Sequence, residues 1–455
     1  MKVAKFGGTS LADANQIRKV CDIILSDKDR RIIVVSAPGK RFKDDTKVTD
    51  LLIALANKYL ECGNAEKEFK AVVERYSEIV NDLGLDKSVA ETITENIRER
   101  LNTDTSEPFR FLDNMKAAGE DNCARLVAAY LRKIGVEAEY VSPKEAGLIL
   151  SKEYGQAEVL PQSYENLKKL KDRPGITIFP GFFGYTEDGE VVTFPRGGSD
   201  ITGSILAAAV DAELYENFTD VDSVYAVNPN IVPNPEPITK LTYREMRELS
   251  YAGFSVFHGE ALQPVYKKGI PVAIKNTNNP SAPGTTIVAE RTKITRPVIG
   301  IAGDSGFCSI YIRKYLMNRE IGFGRKLLEI IENERLSYEH TPSGIDDISV
   351  VLRENQLDEE KEKRLIERIK TELEAEDVSI SHNLALIMIV GEGSRRTIGI
   401  AARATRALAR AGINIEMINQ GSSEVSIMFG INSDNLSTAI KSLYYEFFVN
   451  EDTTI

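Results

Sequence analysis

The chain is poor in the residues that build transition-metal and disulfide sites. It has three histidines, His258, His340 and His382, and four cysteines, Cys21, Cys62, Cys123 and Cys308, in 455 residues. The histidines lie far apart and no two cysteines form a CxxC pair. A polyhistidine metal centre, a zinc ribbon and a disulfide framework are therefore not expected, and reduced cysteines suit the cytoplasm. Long apolar runs are missing too. Nothing approaches about 18 consecutive apolar residues, so no membrane span is expected. The first residues, Met1-Lys2-Val3-Ala4-Lys5-Phe6-Gly7-Gly8, hold no apolar core of a secretion signal. Positive charge is in deficit: 57 Lys and Arg against 68 Asp and Glu give a net charge of −11. That speaks against nonspecific binding to nucleic acid or to a membrane surface. It leaves an anionic small substrate open, because one local Lys or Arg cluster overrides the global field. No Ser-His-Asp or Cys-His arrangement stands out.

What is present describes a multidomain globular chain. Hydrophobic residues make up 42% and charged residues 27%, enough apolar material for several cores, and the length gives two to four domains. In the N-terminal part, β-rich runs (Val3–Phe6, Arg31–Ser36, Glu139–Ser142, Gly175–Pro180, Val272–Lys275) alternate with amphipathic stretches. Examples are Asp13–Leu25, Lys47–Cys62, Met115–Ile134 and Asp200–Val210. This alternation predicts an α/β domain with a mostly parallel sheet, its ligands at the C-terminal ends of the strands. The Asn-, Pro- and Gly-rich stretch Asn276–Gly284 reads as the end of that domain. Beyond residue 300 the sequence repeats. Gly322–Val350 lies on Gly399–Ile427 without a gap, matching Gly344 to Gly421, Asp347 to Glu424 and Ser349 to Ser426. Each copy reads helix, strand, Gly turn, strand, with a further helix after it (Glu359–Leu373, Asn435–Phe447). That order predicts two ferredoxin-like βαββαβ modules.

Four segments carry chemistry. Lys5-Phe6-Gly7-Gly8-Thr9-Ser10 runs from a strand through two glycines toward a helix. The glycines let backbone N–H groups approach phosphate oxygens, and Lys5 can place an ammonium over a transferring phosphoryl group. Taken alone, the string also fits an ordinary tight turn. Phe194-Pro195-Arg196-Gly197-Gly198-Ser199-Asp200 opens an Ala-rich helix. Arg196 can grip a carboxylate or phosphate, and Asp200 can orient a lysine or accept an ammonium, while Ser199-Asp200 is equally a helix cap. Phe218-Thr219-Asp220-Val221-Asp222-Ser223-Val224-Tyr225 suits a nucleotide loop or a plain Asp-rich turn. Gly119-Glu120 lies in a helical pattern, where Glu120 can bind an ammonium or simply be solvated. Such a set fits phosphoryl transfer, which needs positioned positive charge and Mg²⁺ on the phosphates rather than a covalent protein nucleophile.

At these strings the chain resembles the aspartokinases, a branch of the amino-acid kinases. Val34-Val35-Ser36-Ala37 and Lys275-Asn276-Thr277 with Gly284-Thr285 add to the resemblance. The repeat resembles paired ACT modules, the second at Ala411–Ile415 and Gln420–Glu424. The resemblance implies a kinase domain over 1–295 and ACT modules over 300–382 and 383–455. It implies transfer of phosphate from ATP, carried with Mg²⁺ and no separate protein metal site, to the side-chain carboxylate of L-aspartate. The product is 4-phospho-L-aspartate, on the way to lysine, threonine and methionine. Lys5, Phe6, Gly7 and Gly8 would meet the ATP phosphates, and Thr219, Asp220 and Tyr225 would border the nucleotide. Ser36, Thr49, Glu120, Arg196, Gly197, Gly198 and Ser199 would hold aspartate, with Asp200 organising the site. A fused homoserine dehydrogenase is not expected. The chain departs from the family in two places. Ser255 stands where many members have lysine, and Asn230 where they have arginine; Lys267, Lys268 or Lys275 are candidate replacements. The insertion Gly39–Lys47 is long and charged.

For the ACT modules the resemblance implies feedback by an end product, lysine with or without threonine, and a homodimer or dimer of dimers through the modules. The effector would meet Met317, Asn318, Gly322, Phe323, Ser337, Tyr338, Glu339, Asp346, Asp347 and Ile348. Two other readings stay open at this point: a kinase of another amino acid such as glutamate, and a non-catalytic sensor with a degenerate kinase domain.

Overall fold

Strands and helices are interleaved, but the alternation is broken between Arg30–Val35 and Ala138–Tyr140, where four helices follow one another: Val48–Cys62, Glu66–Asp82, Lys87–Leu101 and Pro108–Lys133. The computed structural model describes residues 1–254, 257, 259–292, 294, 296–421 and 425–449. Ser255, His258 and Glu424, singled out above, lie outside the described residues. The chain forms two units, one from Met1–Val224, Pro237–Ser250 and Ser255–Thr292, the other from Tyr225–Glu236, Tyr251–Phe254 and Lys293–Ile455. Among the described residues no helix is long and apolar enough to cross a membrane.

The first unit is built on an eight-stranded sheet. Its order is Lys240–Thr242, Thr285–Val288, Val272–Asn276, Leu214–Thr219, Lys2–Phe6, Arg30–Val35, Ile176–Pro180 and Ala138–Tyr140. Neighbours run parallel except Val272–Asn276 with Thr285–Val288, which are antiparallel. The sheet therefore continues past the Asn276–Gly284 stretch that reads as a domain end: that stretch is a turn, and the chain returns for one more strand. The central strands Lys2–Phe6 and Arg30–Val35 are almost wholly buried, as expected of parallel strands covered on both faces. Register sets the functional edge. Phe6 pairs with Val35 and Phe218, and Thr219 with Asn276, so Gly7, Ser36, Asp220 and Thr277 leave the sheet side by side.

Two helices matter most for the site. Pro108–Lys133 crosses one face with Gly119 at the crossing point. A Cβ on Gly119 would sit 2.7 Å from the Ala37 Cβ. The glycine costs helix propensity, about 1 kcal/mol, and permits the close approach that sets Glu120 beneath the strand ends. Gly198–Ala209 is almost entirely buried, Ala-rich, and starts where Gly197 takes φ 80°.

The second unit is a six-stranded antiparallel sheet in the order Tyr338–His340, Asp347–Arg353, Gly300–Arg313, Asp377–Val390, Ser426–Asn432 and Met417–Asn419. Helices Phe323–Asn333, Glu359–Leu373, Ile400–Arg410 and Leu436–Tyr444 follow the order expected of two ferredoxin-like halves. Gly322 and Gly399, matched in the repeat, both cap their helices at left-handed φ, 81° and 88°. The two middle strands are each 14 residues long and serve both halves. Gly300 pairs with Val390 at one end and Arg313 with Asp377 at the other. The sequence boundary at 382/383 falls inside one of these strands. The first residues of the other, beside Leu386–Val390, lie under helix Leu436–Tyr444, where a Cβ on Gly303 would be 2.8 Å from Leu436 Cδ1.

Candidate active site

The Lys5–Gly8 turn sits at the end of a central strand because the Gly7 N–H donates to the Phe218 carbonyl at 3.0 Å. Phe6 is fully buried and its ring stacks on Phe218 with centroids 4.7 Å apart. It supports the turn from below and has no surface for a nucleotide, which corrects its place among the nucleotide contacts. Lys5, 7% exposed, points its ammonium to Asp200 Oδ1 at 2.5 Å. That oxygen also accepts Asn217 Nδ2 at 2.7 Å, and Tyr215 Oη donates to the Asp200 carbonyl at 3.1 Å. Asp200 thus orients the lysine rather than capping its helix, whose N-cap is Gly197.

A cavity of about 470 Å³ opens beside this pair. Its lining includes every residue expected to hold the acceptor: Ser36, Thr49, Glu120, Arg196, Gly197, Gly198 and Ser199, with Lys5 and Asp200. Arg196 is exposed and has no ion pair among the described residues. Glu120 is 5% exposed, and its Oε2 has no hydrogen-bond partner. Burial pushes its carboxyl up to about 8, a shift that the Ala37 N–H and the nearby Lys47 and Lys5 charges only partly oppose. A buried carboxyl with one oxygen left without a partner beside a cavity is not the solvated helix face that its sequence context equally allows, and it is available to a ligand.

Lys47, Lys116, Gln156, Phe182 and Phe194 also line the cavity. Lys116 lies one helical turn before Glu120, on the same face, which is a signal the sequence carries. Its ammonium is 2.6 Å from Asp113 Oδ1 and 3.1 Å from Thr193 Oγ1. Asp113, 1% exposed, also accepts the Gly155 and Thr193 N–H groups, each at 2.8 Å, and so ties three wall segments together. Nothing in its local sequence marks that role. Phe182 holds φ 75°, an uncommon conformation for a bulky residue, with its N–H donating to Thr202 Oγ1 at 3.0 Å.

Of the residues expected to border the nucleotide, Thr219 ends the strand next to Lys2–Phe6 and Asp220 follows it. Asn276 Nδ2 donates to Asp222 Oδ1 at 2.7 Å, and Ser10 Oγ and Thr277 Oγ1 are 2.7 Å apart. Tyr225 belongs to the other unit. None of the candidate replacement cations lines the cavity. Lys268 pairs with Asp211 at 2.7 Å, and Lys275 lies 3.7 Å from the buried Glu216. Among the described residues no cluster of three or more His, Cys, Asp or Glu could cage a metal ion.

In the second unit the effector candidates separate. Asn318 N–H donates to the Ile345 carbonyl at 3.2 Å, and Leu316 N–H to Asp346 Oδ1 at 2.8 Å, so the 314–318 turn and the acidic turn meet. Asp347 lines a cavity of about 390 Å³ with Ser309, Tyr311, Ser349 and Glu416. Met317, Phe323 and Ile348 belong to the apolar core and offer little to a ligand. Ser337 bonds Gln356, Glu339 lies near Arg353 at 3.7 Å, and Tyr338 lines a different groove with Arg325 and Leu336.

Known proteins give this arrangement a context. The amino acid kinase family pattern matches residues 1–276, and the ACT domain pattern matches 387–447. The chain is 59% identical to aspartokinase 3 of Bacillus subtilis over 98% of its length and 99% of that protein's. Its fold superposes on the Clostridium acetobutylicum aspartate kinase with TM-score 0.86 and 40% identity, covering 98% of this chain and all of that one. Escherichia coli aspartokinase III, solved with aspartate and ADP, shares the fold at TM-score 0.80 and 24% identity, over 98% of this chain and 100% of that one.

Proposed function

This chain belongs to the aspartokinases, and from that premise we propose that the cavity beside Lys5 holds the acceptor and the Gly7–Gly8 turn holds the ATP phosphates. The reaction is transfer of the γ-phosphoryl group of ATP to the side-chain carboxylate of L-aspartate, giving ADP and 4-phospho-L-aspartate. A carboxylate oxygen attacks phosphorus as the bond to the ADP oxygen breaks. The acceptor is already ionised near neutral pH, so no general base is required. This accounts for a histidine-poor chain carrying out the chemistry. The protein's task is charge placement. Lys5, held by Asp200, stabilises the phosphoryl oxygens, and the backbone at Gly7 and Gly8 leaves room for them. Arg196, Ser199 and the N-terminus of helix Gly198–Ala209 grip carboxylate oxygens. Ser36 and Thr49 complete the acceptor wall, and Glu120 takes the α-ammonium. Mg²⁺ supplies charge neutralisation when it arrives on the nucleotide, with Asp220 and Asp222 the nearest strand-end carboxylates in sequence. The observation that carries this reading is that Lys5 and Arg196, far apart in sequence, open onto one cavity. Release of ADP from Mg-ATP with a panel of amino acids tests it. Turnover with aspartate and not with glutamate is expected; turnover with glutamate alone, or none from folded protein, overturns it.

Glu120 gives the reaction a pH signature. Its folded carboxyl titrates near 8 against an ordinary 4.5, so below pH 8 the empty site holds it neutral, and an incoming ammonium must displace a proton. KM for aspartate should fall roughly tenfold from pH 7 to pH 8.5 and then level off. Glu120→Gln should flatten that profile and raise KM overall; a profile unchanged by the substitution would remove Glu120 from the ammonium site. The same shift affects stability. Relative to the unfolded chain, the contribution of Glu120 to the stability of the ligand-free protein falls as pH rises from 4.5 to 8. Glu120→Gln should therefore raise the ligand-free Tm more at pH 8 than at pH 5.

The second unit senses an end-product amino acid, lysine in this reading, at the turn formed by Asn318, Asp346 and Asp347. A carboxylate facing a polar cavity suits an ε-ammonium. Asp347→Ala should raise the lysine concentration for half-inhibition roughly tenfold or more; an unchanged inhibition curve would move the effector elsewhere. Assembly as a homodimer through this unit is supported by Ile321 and Ile398, equivalent in the two repeats and each 97% exposed. Sedimentation showing a monomer would remove it. A cytoplasmic setting is supported by four free cysteines, three of them buried.

A further inference from the structure

The charged insertion Gly39–Lys47 has no part in the scheme above, yet it is fastened along its length. The Gly39 N–H donates to the Gly8 carbonyl at 2.8 Å, and a Cβ on Gly39 would lie 2.5 Å from the Gly8 carbonyl carbon. This contact with the phosphate-side turn requires glycine. Arg75, from helix Glu66–Asp82, is 4% exposed. Its guanidinium donates to the Gly39 carbonyl at 2.7 Å, the Ala12 carbonyl at 3.1 Å and Asp45 Oδ2 at 2.9 Å. The Asp45 carboxylate accepts from the Arg41 backbone N–H and guanidinium at 2.9 to 3.0 Å, and Arg41 also donates to Glu78, on the same helix as Arg75, at 2.8 Å. The Val48 N–H closes onto the Pro38 carbonyl at 3.0 Å, and Lys47 is the N-cap of the helix that follows. A solvated charged loop does not need a buried arginine; this one is built.

Its last residue faces the acceptor cavity. Four cations line that cavity. Two are committed to buried carboxylates, Lys5 to Asp200 at 2.5 Å and Lys116 to Asp113 at 2.6 Å. Arg196 is unpaired among the described residues. Lys47 has only a loose contact with Asp50, 3.7 Å long and half exposed on both sides. Phosphoryl transfer onto a carboxylate gathers anionic oxygens in one place; Lys5, aimed by Asp200, meets some of them, and Arg196 and Lys47, which hold no buried carboxylate among the described residues, bring charge that is free to meet the rest.

We propose that Lys47 is a substrate-facing cation of the acceptor cavity, delivered there by the Gly39–Lys47 strap, and that Arg75 is the residue that positions it. It recognises an anionic oxygen, either of the acceptor carboxylate or of the phosphoryl group in transit. The inference rests on the aspartate kinase reading of the same cavity.

The test compares the full-length wild type with Lys47→Ala, Lys47→Arg, Arg75→Met and the Lys47→Ala/Arg75→Met double variant, varying aspartate and Mg-ATP separately. Lys47→Ala should lower kcat/KM for aspartate roughly 10- to 100-fold, the worth of one charge-assisted contact, and Lys47→Arg should recover most of it. A loss carried by KM for aspartate assigns the carboxylate; a loss carried by kcat, with both KM values held, assigns the phosphoryl group. Arg75→Met should lose a similar factor with its far-UV spectrum intact, and the double variant should be little worse than either single one. Asp45→Asn, which frees the strap while leaving both of Arg75's carbonyl contacts, serves if Arg75→Met does not fold. Wild-type kinetics in Lys47→Ala overturn the role of Lys47. Losses that multiply in the double variant overturn the role of Arg75. A wild type without aspartate-dependent turnover overturns the functional reading and this inference together, whereas an active wild type with an unaffected Lys47→Ala overturns the inference alone.

Discussion

Lys5→Ala should lower kcat by roughly 100- to 1,000-fold, the usual cost of deleting one preorganised donor to developing negative charge. The lysine is buried at a strand end, and its ammonium is aimed by a carboxylate that is itself fixed by Asn217. KM for aspartate should change much less than kcat, because Arg196, Ser199 and Glu120 hold the acceptor through other groups. The substitution also leaves Asp200 without its cation, so some loss of thermal stability accompanies the kinetic loss. Lys5→Arg should not rescue: a planar guanidinium is bulkier than an ammonium and spreads its charge, and the lysine it would replace is buried. A Lys5→Ala enzyme that is folded and turns over within a few-fold of wild type would show that the ammonium does not act on the reacting phosphate.

Arg196→Ala should have the complementary effect. The guanidinium is exposed, carries no structural ion pair among the described residues, and stands over the cavity at the start of a helix. Its removal should leave Tm nearly unchanged and lower kcat/KM for aspartate by about 2–4 kcal/mol, roughly 30- to 1,000-fold. Most of the change should lie in KM for aspartate, with KM for Mg-ATP close to wild type. Arg196→Lys should recover only part, because one ammonium cannot reproduce a two-pronged grip on a carboxylate. Wild-type kinetics in Arg196→Ala would place the acceptor's carboxylate elsewhere.

The legible parts of this chain were those where local chemistry and local structure agree. Lys2–Phe6 and Arg30–Val35 are continuous apolar runs, and they are central parallel strands. The glycine strings around Gly7 and Gly197 announce a backbone opened to a ligand, and both border the cavity or its lysine. The central strand Leu214–Thr219 is harder to read, because Glu216 and Asn217 interrupt its apolar pattern. Both are buried and satisfied by distant partners, Glu216 by Arg30 at 2.6 and 3.0 Å, Asn217 by Asp200 at 2.7 Å. Asp113 and Arg75 are invisible for the same reason: their value lies in backbone groups tens of residues away. In the regulatory half, the repeat disclosed the two modules and their helices. It could not show which strand positions turn inward, so Met317, Phe323 and Ile348 read as ligand contacts although they fill the core.

The two long strands of the second unit have a mechanical consequence. Gly300–Arg313 and Asp377–Val390 run the full width of the sheet and are hydrogen-bonded to each other almost end to end. Neither half possesses a strand set of its own that could be cut free. A chain truncated near residue 382 would keep half of one such strand and orphan the far end of the other, exposing an unpaired, apolar edge. For the same reason, a displacement of one half is expected to carry the other with it along the shared strands.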